Sequence, residues 1–130
     1  MKCHHFPVQV YYEDTDHSGV VYYANYLKYF ERAREALLGT DLLVQLWNDK
    51  GIGFAVYSVN VKYTDSAVFG DKLDIRTTFK MDSQYRAILT QDVWKRDAKK
   101  ASVTALIELI CIDKDKRLLA FEDVMTMPAY

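Results

Sequence analysis

The sequence predicts an α+β fold in which an antiparallel sheet is wrapped around one long helix. Three observations support this prediction: an initial strand-like segment, one long helical pattern followed by a shorter one, and strand-like alternation over most of the remaining chain. The chain has 130 residues, half of them hydrophobic, which suffices for one core and is too little for two large domains. We therefore expect residues 1–130 to form a single domain.

The first strand is predicted over residues 6–13, where apolar side chains alternate with polar ones. The side chains that share its apolar face are Val8, Val10 and Tyr12. The next segment, residues 14–21, is rich in acidic and small residues and is predicted to be a turn.

An amphipathic helix is predicted from about Tyr22, because the spacing of apolar positions changes there from two to three and four. Gly39 is its natural end. The positions on its periodic face are Tyr23, Tyr26, Leu27, Phe30, Ala33, Arg34 and Leu37. A shorter helix is expected over residues 41–50, with Thr40 as its N-cap and Gly51 after its last turn.

The rest of the chain is predicted to be strands, because its side chains alternate with a period of two. The first of them should present Tyr57, Val59, Val61 and Tyr63 on one face. One helix cannot cover both faces of the resulting sheet, so we expect the sheet to curve around the helix. The predicted strands cover residues 54–63, 72–82, 84–96 and 100–112, with a short one at 117–121.

Charge and composition argue against several classes of protein. Lys and Arg number 17 against 18 Asp and Glu, so the basic surplus of a typical nucleic-acid binder is missing. No stretch approaches the roughly 20 apolar residues of a membrane span, and the first residues lack the apolar run of a signal peptide. The two cysteines have neither disulfide nor zinc spacing. We expect a cytoplasmic protein with reduced thiols and no membrane insertion.

The acidic turn, Asp14-Thr15-Asp16-His17-Ser18-Gly19, leaves several interpretations open. It matches the start of a calcium loop, but Asn25 stands where a bidentate Glu is needed and no helix precedes it. A phosphatase-type Asp-x-Asp pair would need a larger α/β domain. The two carboxylates could also simply shape the turn and cap the helix.

A metal-free acyl-transfer site is the interpretation that the physics of this segment favours. The positive end of a helix lowers the pKa of a nearby carboxylate and offers N–H groups to a carbonyl oxygen. Asp16 is then the nucleophile or general base. The chain lacks the Gly-x-Ser-x-Gly, His-Glu-x-x-His and phosphate-loop motifs of other hydrolytic sites. We expect no metal ligands here.

A basic run lies at a predicted hairpin and is either solvated or in contact with phosphates. Its residues are Lys95, Arg96, Lys99 and Lys100.

The segment from Gln9 to Arg34 resembles the 4-hydroxybenzoyl-CoA thioesterase family. The resemblance rests on Gln9-Val10, Thr15-Asp16-x-x-Gly19-Val20-Val21 and Tyr26-Leu27-x-Tyr29-Phe30-Glu31-Arg32-Ala33-Arg34. The longer match is closest to the Tol-Pal-associated acyl-CoA thioesterase branch. The resemblance implies a single hotdog domain that forms homodimers or homotetramers and hydrolyses acyl-CoA without a cofactor, since CoA is part of the substrate.

The resemblance also assigns roles to individual residues. Asp16 matches the catalytic carboxylate, and Tyr23 matches the residue whose backbone N–H polarises the thioester carbonyl. Many members of the branch have His where this chain has Tyr23, but a backbone donor is kept with either side chain. The first alternative is a noncatalytic module that binds acyl-CoA or acyl carriers. The others are a hotdog dehydratase acting on hydroxyacyl thioesters, which would pair a histidine with an acid, and a structural partner of an envelope complex. Four further residues are expected to contact substrate: His17, Gly19, Tyr12 and Ser66.

Overall fold

The computed structural model describes residues 2–124, so both ends of the predicted 1–130 domain lie outside the described residues. Two helices follow one another, α1 (Asn25–Leu38) and α2 (Thr40–Lys50). Short 3₁₀ turns lie at Tyr12–Asp14 and Phe121–Asp123. The strands are β1 (His4–Gln9), β2 (Ile52–Tyr63), β3 (Lys72–Ser83), β4 (Arg86–Lys95), β5 (Val103–Asp113) and β6 (Leu118–Leu119).

The strands form one antiparallel sheet with the order β1-β3-β4-β5-β2, to which β6 adds a short pairing with β5. Strands β1 and β2 are therefore the two edges. The buried side chains of β3, β4 and β5 alternate with partly exposed ones along each strand, as expected for a sheet with one covered face. This architecture agrees with the predicted α+β class. No helix in residues 2–124 is both long and apolar enough to cross a membrane.

Helix α1 lies against the covered face of the sheet. Its end follows the prediction, because the Gly39 N–H caps the Glu35 carbonyl and Gly39 has a positive φ of 95°, which favours glycine. Exposed Leu27 does not join the core, although the pattern placed it on the apolar face. The buried face of the helix consists of Tyr26, Tyr29, Phe30, Ala33 and Leu37.

Thr40, the predicted N-cap of α2, is instead its first residue, and Gly39 is the N-cap. Two predicted boundaries next to the acidic turn are also wrong, and Asp14 explains both. The first strand ends at Gln9 because the Asp14 carboxylate accepts the Tyr11 N–H at 2.8 Å and helps fold the following residues into a 3₁₀ turn. The helix begins at Asn25 rather than near Tyr22, because the Asp14 carbonyl holds the Tyr22 N–H and the Asn25 side-chain amide. Tyr12 therefore lies in the 3₁₀ turn rather than in β1, and Tyr23 lies before α1.

A polar chain crosses the core beneath α1. Gln91 is fully buried on β4, and its amide donates to the Phe30 carbonyl and the Thr77 hydroxyl, each at 3.0 Å. Its carbonyl oxygen accepts a hydrogen bond from the Arg34 guanidinium at 2.9 Å. Arg34 thus points inward, toward a buried amide rather than toward solvent. Burial lowers the pKa of the guanidinium, with Glu31 and Glu35 acting in the opposite direction.

The outer half of β2 departs from the predicted pattern. A bulge between Val56 and Ser58 interrupts its pairing with β5, and most of the predicted face is exposed. Tyr57 is 60% exposed, while Val59 and Tyr63 are each 44% exposed. Apolar side chains on an unpaired edge strand are unusual for a chain that acts alone.

Candidate active site

The acidic turn is a tight hairpin between the 3₁₀ turn and α1. Thr15 pairs with Val21, and the Asp16 N–H donates to the Val20 carbonyl at 2.9 Å. The Gly19 N–H donates back to the Asp16 carbonyl at 3.0 Å. Gly19 has a φ of 85°, a conformation that glycine adopts without strain, so its place in the turn is conformational.

The Asp16 carboxylate is fixed at the tip of this hairpin and faces solvent. Its Oδ1 accepts the Ser18 N–H at 2.8 Å and the Ser18 hydroxyl at 2.6 Å. Within residues 2–124, Oδ2 has no hydrogen-bond partner. The Ser18 side chain and backbone lower the pKa of Asp16, with smaller contributions from His17 and the Val20 backbone. The carboxylate is therefore ionised at neutral pH and keeps one oxygen available.

We expect Ser18→Ala to raise the pKa of Asp16, because the Ser18 hydroxyl is the largest cause of its depression. The measurement is a carboxyl-carbon NMR titration of both proteins. Asp65 is an internal control, since Lys95 and the Ser66 backbone, not Ser18, hold the pKa of Asp65 down. An unchanged Asp16 titration in the variant would show that the side-chain hydrogen bond is not the cause.

Two free backbone N–H groups lie immediately before α1. The Asn25 N–H bonds to the Tyr22 carbonyl at 2.8 Å and closes a turn that leads into the helix. Across the described residues, the N–H groups of Tyr23 and Ala24, inside this turn, have no hydrogen-bond partner. Unpaired N–H groups at a helix start carry partial positive charge and suit an anionic or carbonyl oxygen. Tyr23 lies two residues before the first residue of α1, in a turn rather than on the predicted helix face.

The acidic hairpin and this turn are held together by backbone contacts. The Tyr22 N–H donates to the Asp14 carbonyl at 2.9 Å, directly beside the Thr15–Val21 pairing. One short ladder therefore connects Asp16, at the tip of the hairpin, with Tyr23, which follows its base. One ionised carboxylate and two N–H donors are supplied by a segment of nine residues, 16–24.

The loop after β2 joins this arrangement. The Val21 N–H donates to the Ala67 carbonyl at 2.8 Å, Val20 pairs with Val68, and the Ala67 N–H donates to the Tyr26 hydroxyl at 3.1 Å. Ser66, the residue before Ala67, is exposed, so its predicted place near the turn is consistent with these contacts. Ser66 is the only candidate substrate residue far from the turn in sequence.

The basic run lies next to this loop. Lys95 forms an ion pair with Asp65 at 2.8 Å, and the N–H groups of Thr64 and Asp65 both donate to the Ser102 carbonyl. The hairpin between β4 and β5 is thereby attached to the segment that contacts the acidic turn. Its cationic side chains are Lys95, Arg96, Lys99 and Lys100.

The last two candidate substrate contacts, His17 and Tyr12, lie in different surroundings from each other. His17 is exposed beside Asp16. Tyr12 is 78% exposed, and its ring packs edge-on against Phe69 at 5.8 Å rather than in a cavity. Its backbone carbonyl accepts both the N–H and the hydroxyl of Thr15, which supports the turn. Tyr12 therefore contributes to the shape of the turn, and its side chain is not brought to Asp16 by any of these contacts.

A groove runs along α1 beside β2. Two cavities of about 340 and 240 Å³ share Glu31, Arg34 and Val56 in their walls. The smaller one begins at Leu27, about one helical turn beyond Tyr23, and Asp16 lines neither. In the described part of the chain, no group of three or more His, Cys, Asp or Glu side chains could hold a metal ion, so the calcium-loop interpretation has no ligand set there.

Comparison with known proteins gives a consistent result. A profile of the thioesterase-like superfamily matches residues 10–129. The acyl-CoA thioesterase YbgC of Helicobacter pylori is 41% identical over 95 residues, which are 72% of this chain and 65% of that protein. The chain thus spans slightly less than two thirds of that relative's length. The acyl-CoA thioesterase YbgC of Haemophilus influenzae is 34% identical over 113 residues, 85% of this chain and 82% of that protein.

Solved structures agree with the sequence relatives. A probable thioesterase from Bartonella henselae superposes with a TM-score of 0.84 and 28% identity, over 92% of this chain and 99% of that one. A 1,4-dihydroxy-2-naphthoyl-CoA thioesterase from Synechocystis has a TM-score of 0.83 at 20% identity, covering 92% of this chain and 90% of that one. The second match bears on the fold alone. The predicted hotdog architecture is confirmed.

Proposed function

The chain belongs to the thioesterase-like superfamily, as its resemblance predicted, and we propose on that premise that it hydrolyses acyl-CoA thioesters to a free acid and CoA. One observation carries the proposal. An ionised carboxylate with a free oxygen, Asp16, and the unpaired N–H groups of Tyr23 and Ala24 leave the same hydrogen-bonded ladder. These are the groups that an attack on a carbonyl needs.

The N–H groups before α1 form the oxyanion hole, which polarises the thioester carbonyl. A thioester carbonyl oxygen placed against them gains hydrogen bonds that strengthen as negative charge develops on it. Because the donors are backbone groups fixed by a turn, they need no reorganisation during the reaction. The Tyr23 side chain is not required for this role.

Asp16 supplies the attack by one of two routes. As a nucleophile, an Asp16 oxygen bonds to the carbonyl carbon, the carbon–sulfur bond breaks, and water then hydrolyses the mixed anhydride. As a general base, Asp16 takes a proton from water, whose oxygen attacks instead. In both routes CoA leaves as a thiolate, whose conjugate acid has a pKa of about 8.5, so it departs without strong help from an acid. Water is the only co-reactant, and the reaction uses no cofactor.

Substrate contacts follow from the surroundings of the turn. We assign substrate contacts to the exposed side chains of His17 and Ser66 and to the backbone at Gly19, while Tyr12 is assigned to shaping the turn. The basic hairpin is attached to the Ser66 loop through the Lys95–Asp65 ion pair. We assign its cations to the phosphates of CoA, since charge-assisted hydrogen bonds to phosphate are strong.

The active form is proposed to contain at least two copies of the chain. Asp16 faces solvent, and nothing among residues 2–124 closes the site over it. Next to the site, the edge strand β2 exposes apolar side chains along the groove that also contains Leu27. Antiparallel pairing of β2 with its copy would satisfy the free edge and cover these side chains.

We expect Val59→Asp to reduce a homodimer of two 15.1 kDa chains to monomers. Val59 pairs with Ile107 and lines the groove, so the new carboxylate would be buried at the interface without a partner. Asn60→Asp is the matched control, because it adds the same charge on the opposite face of β2. Light scattering after size-exclusion chromatography measures the mass. A wild type that remains monomeric at tens of micromolar would contradict the proposed assembly.

A thiol-trapping assay over aliphatic and aromatic acyl-CoA esters tests the proposed activity. Release of free CoA supports hydrolysis. Binding of acyl-CoA without thiol release would instead identify the noncatalytic binding module, and the absence of both thiol release and binding would reject both functions. The expected cytoplasmic location stays a prediction.

A further inference from the structure

Tyr63, at the end of β2, reaches across to the turn that precedes α1. Its hydroxyl donates a hydrogen bond to the Tyr23 carbonyl at 3.2 Å. Its ring packs edge-on against Tyr23, with centroids 6.1 Å apart, and lies 5.7 Å from the ring of Tyr26. Burial, with smaller effects of Tyr23 and Tyr26, raises the pKa of the Tyr63 hydroxyl, so it remains a protonated donor at neutral pH.

The carbonyl that Tyr63 binds belongs to the same peptide group as the Ala24 N–H. A hydrogen bond to the oxygen of a peptide group makes its N–H more positive, because successive hydrogen bonds polarise one another. The preceding peptide is arranged alike: the Tyr22 carbonyl accepts the Asn25 N–H, and the Tyr23 N–H on that peptide is free. Both free N–H groups therefore sit on peptides whose oxygens are already engaged.

We propose that the Ala24 N–H is a second donor to the thioester oxygen and that Tyr63 is the positioning residue that orients and polarises its peptide. The proposal rests on the proposed thioesterase function and deepens it. Tyr63 acts through the backbone and makes no contact with the reacting atoms. Forty residues of chain separate Tyr63 from the peptide that it binds.

If the Tyr63 hydroxyl had only a structural role, its removal would lower the stability of the protein rather than kcat alone. The ring packing survives in Tyr63→Phe, and the side chain is 44% exposed, so the fold does not depend on this hydroxyl. Among residues 2–124, the Tyr23 carbonyl has no other donor and the Ala24 N–H has no acceptor, so loss of the hydroxyl leaves that peptide without a hydrogen bond from the described residues. A change in chemistry without a change in stability or substrate binding is the signature of positioning.

The experiment compares Tyr63→Phe with wild type and with Tyr85→Phe, a matched loss of a hydroxyl in the turn between β3 and β4. We expect kcat to fall about tenfold in Tyr63→Phe, since loss of a whole oxyanion donor costs about 100-fold or more, with KM within about twofold. Tyr85→Phe should match wild type. Equal kcat values for all three proteins, or a rise in KM at constant kcat, would overturn the proposal.

A spectroscopic measurement separates failure of this inference from failure of the proposed function. In ¹⁵N–¹H spectra of the free protein, the Ala24 amide proton should move upfield in Tyr63→Phe and stay in place in Tyr85→Phe. An unmoved Ala24 signal would reject the polarising contact whatever the activity. A shifted signal in a protein that hydrolyses no acyl-CoA would leave the contact intact, remove its catalytic meaning and reject the proposed function.

Discussion

Replacing Asp16 with asparagine is expected to lower the turnover of acyl-CoA by about 10³-fold or more, which corresponds to several kcal/mol of activation free energy. Asparagine keeps an oxygen that accepts the Ser18 N–H and hydroxyl, so the hairpin should persist. What it loses is the negative charge and the basicity that both proposed routes require. Release of CoA, measured with a thiol-trapping reagent under saturating substrate, gives the turnover.

Glu13→Gln is the control for Asp16→Asn. Glu13 lies in the same loop and is exposed, so this variant removes one carboxylate without touching the turn and should keep activity within about twofold. Thermal unfolding of both variants near the wild-type temperature would exclude misfolding. If Asp16→Asn retained more than a tenth of wild-type turnover on every substrate, the proposed role of Asp16 would be wrong.

The second large effect is expected from Gln91→Leu, which should lower the free energy of unfolding by about 3 kcal/mol. Leucine fills a similar volume but leaves the Arg34 guanidinium and the Thr77 hydroxyl without their buried partner. A partly buried guanidinium that loses its hydrogen-bond acceptor destabilises the folded protein. Urea denaturation followed by circular dichroism measures the change, provided that the slope with denaturant stays constant.

A double variant distinguishes this explanation from poor packing of leucine. Arg34→Met alone removes the charge, and Arg34→Met with Gln91→Leu removes both partners, so the double variant should be more stable than the sum of the single effects predicts. Thr90→Val, on the opposite face of β4, is the surface control and should change the stability by less than about 0.5 kcal/mol. Strict additivity would show that Arg34 and Gln91 do not stabilise each other.

Periodicity in the sequence was sufficient to predict the helices and strands, and side-chain contacts with the backbone limited how well their ends could be placed. Residues 22–24 continue the apolar spacing of α1, but the Asp14 carbonyl holds Tyr22 outside the helix. The strand pattern likewise continues past Gln9 until the Asp14 carboxylate captures the Tyr11 N–H. An acidic residue that caps a turn competes with regular structure, and its partner cannot be identified from spacing.

The sequence pointed to the candidate site where it is local and not where it is assembled from distant segments. Asp16, Gly19 and Tyr23 lie within one block, whose order of strand, turn and helix indicates the chemistry. Tyr63 was predicted only as one member of a strand face, because no pattern links it to a carbonyl 40 residues earlier. The pairing of Arg34 with Gln91 spans 57 residues and was equally inaccessible.

The free edge of β2 also affects the chain during its synthesis, before it binds any substrate. In the proposed assembly, a newly synthesised chain carries this strand uncovered until it encounters a copy of itself, and during that interval any other extended peptide can pair with the same backbone groups. Yield in a host cell should therefore depend on how fast copies accumulate near one another. Charged substitutions that improve the solubility of the lone chain at this edge would do so at the expense of the assembly that needs it.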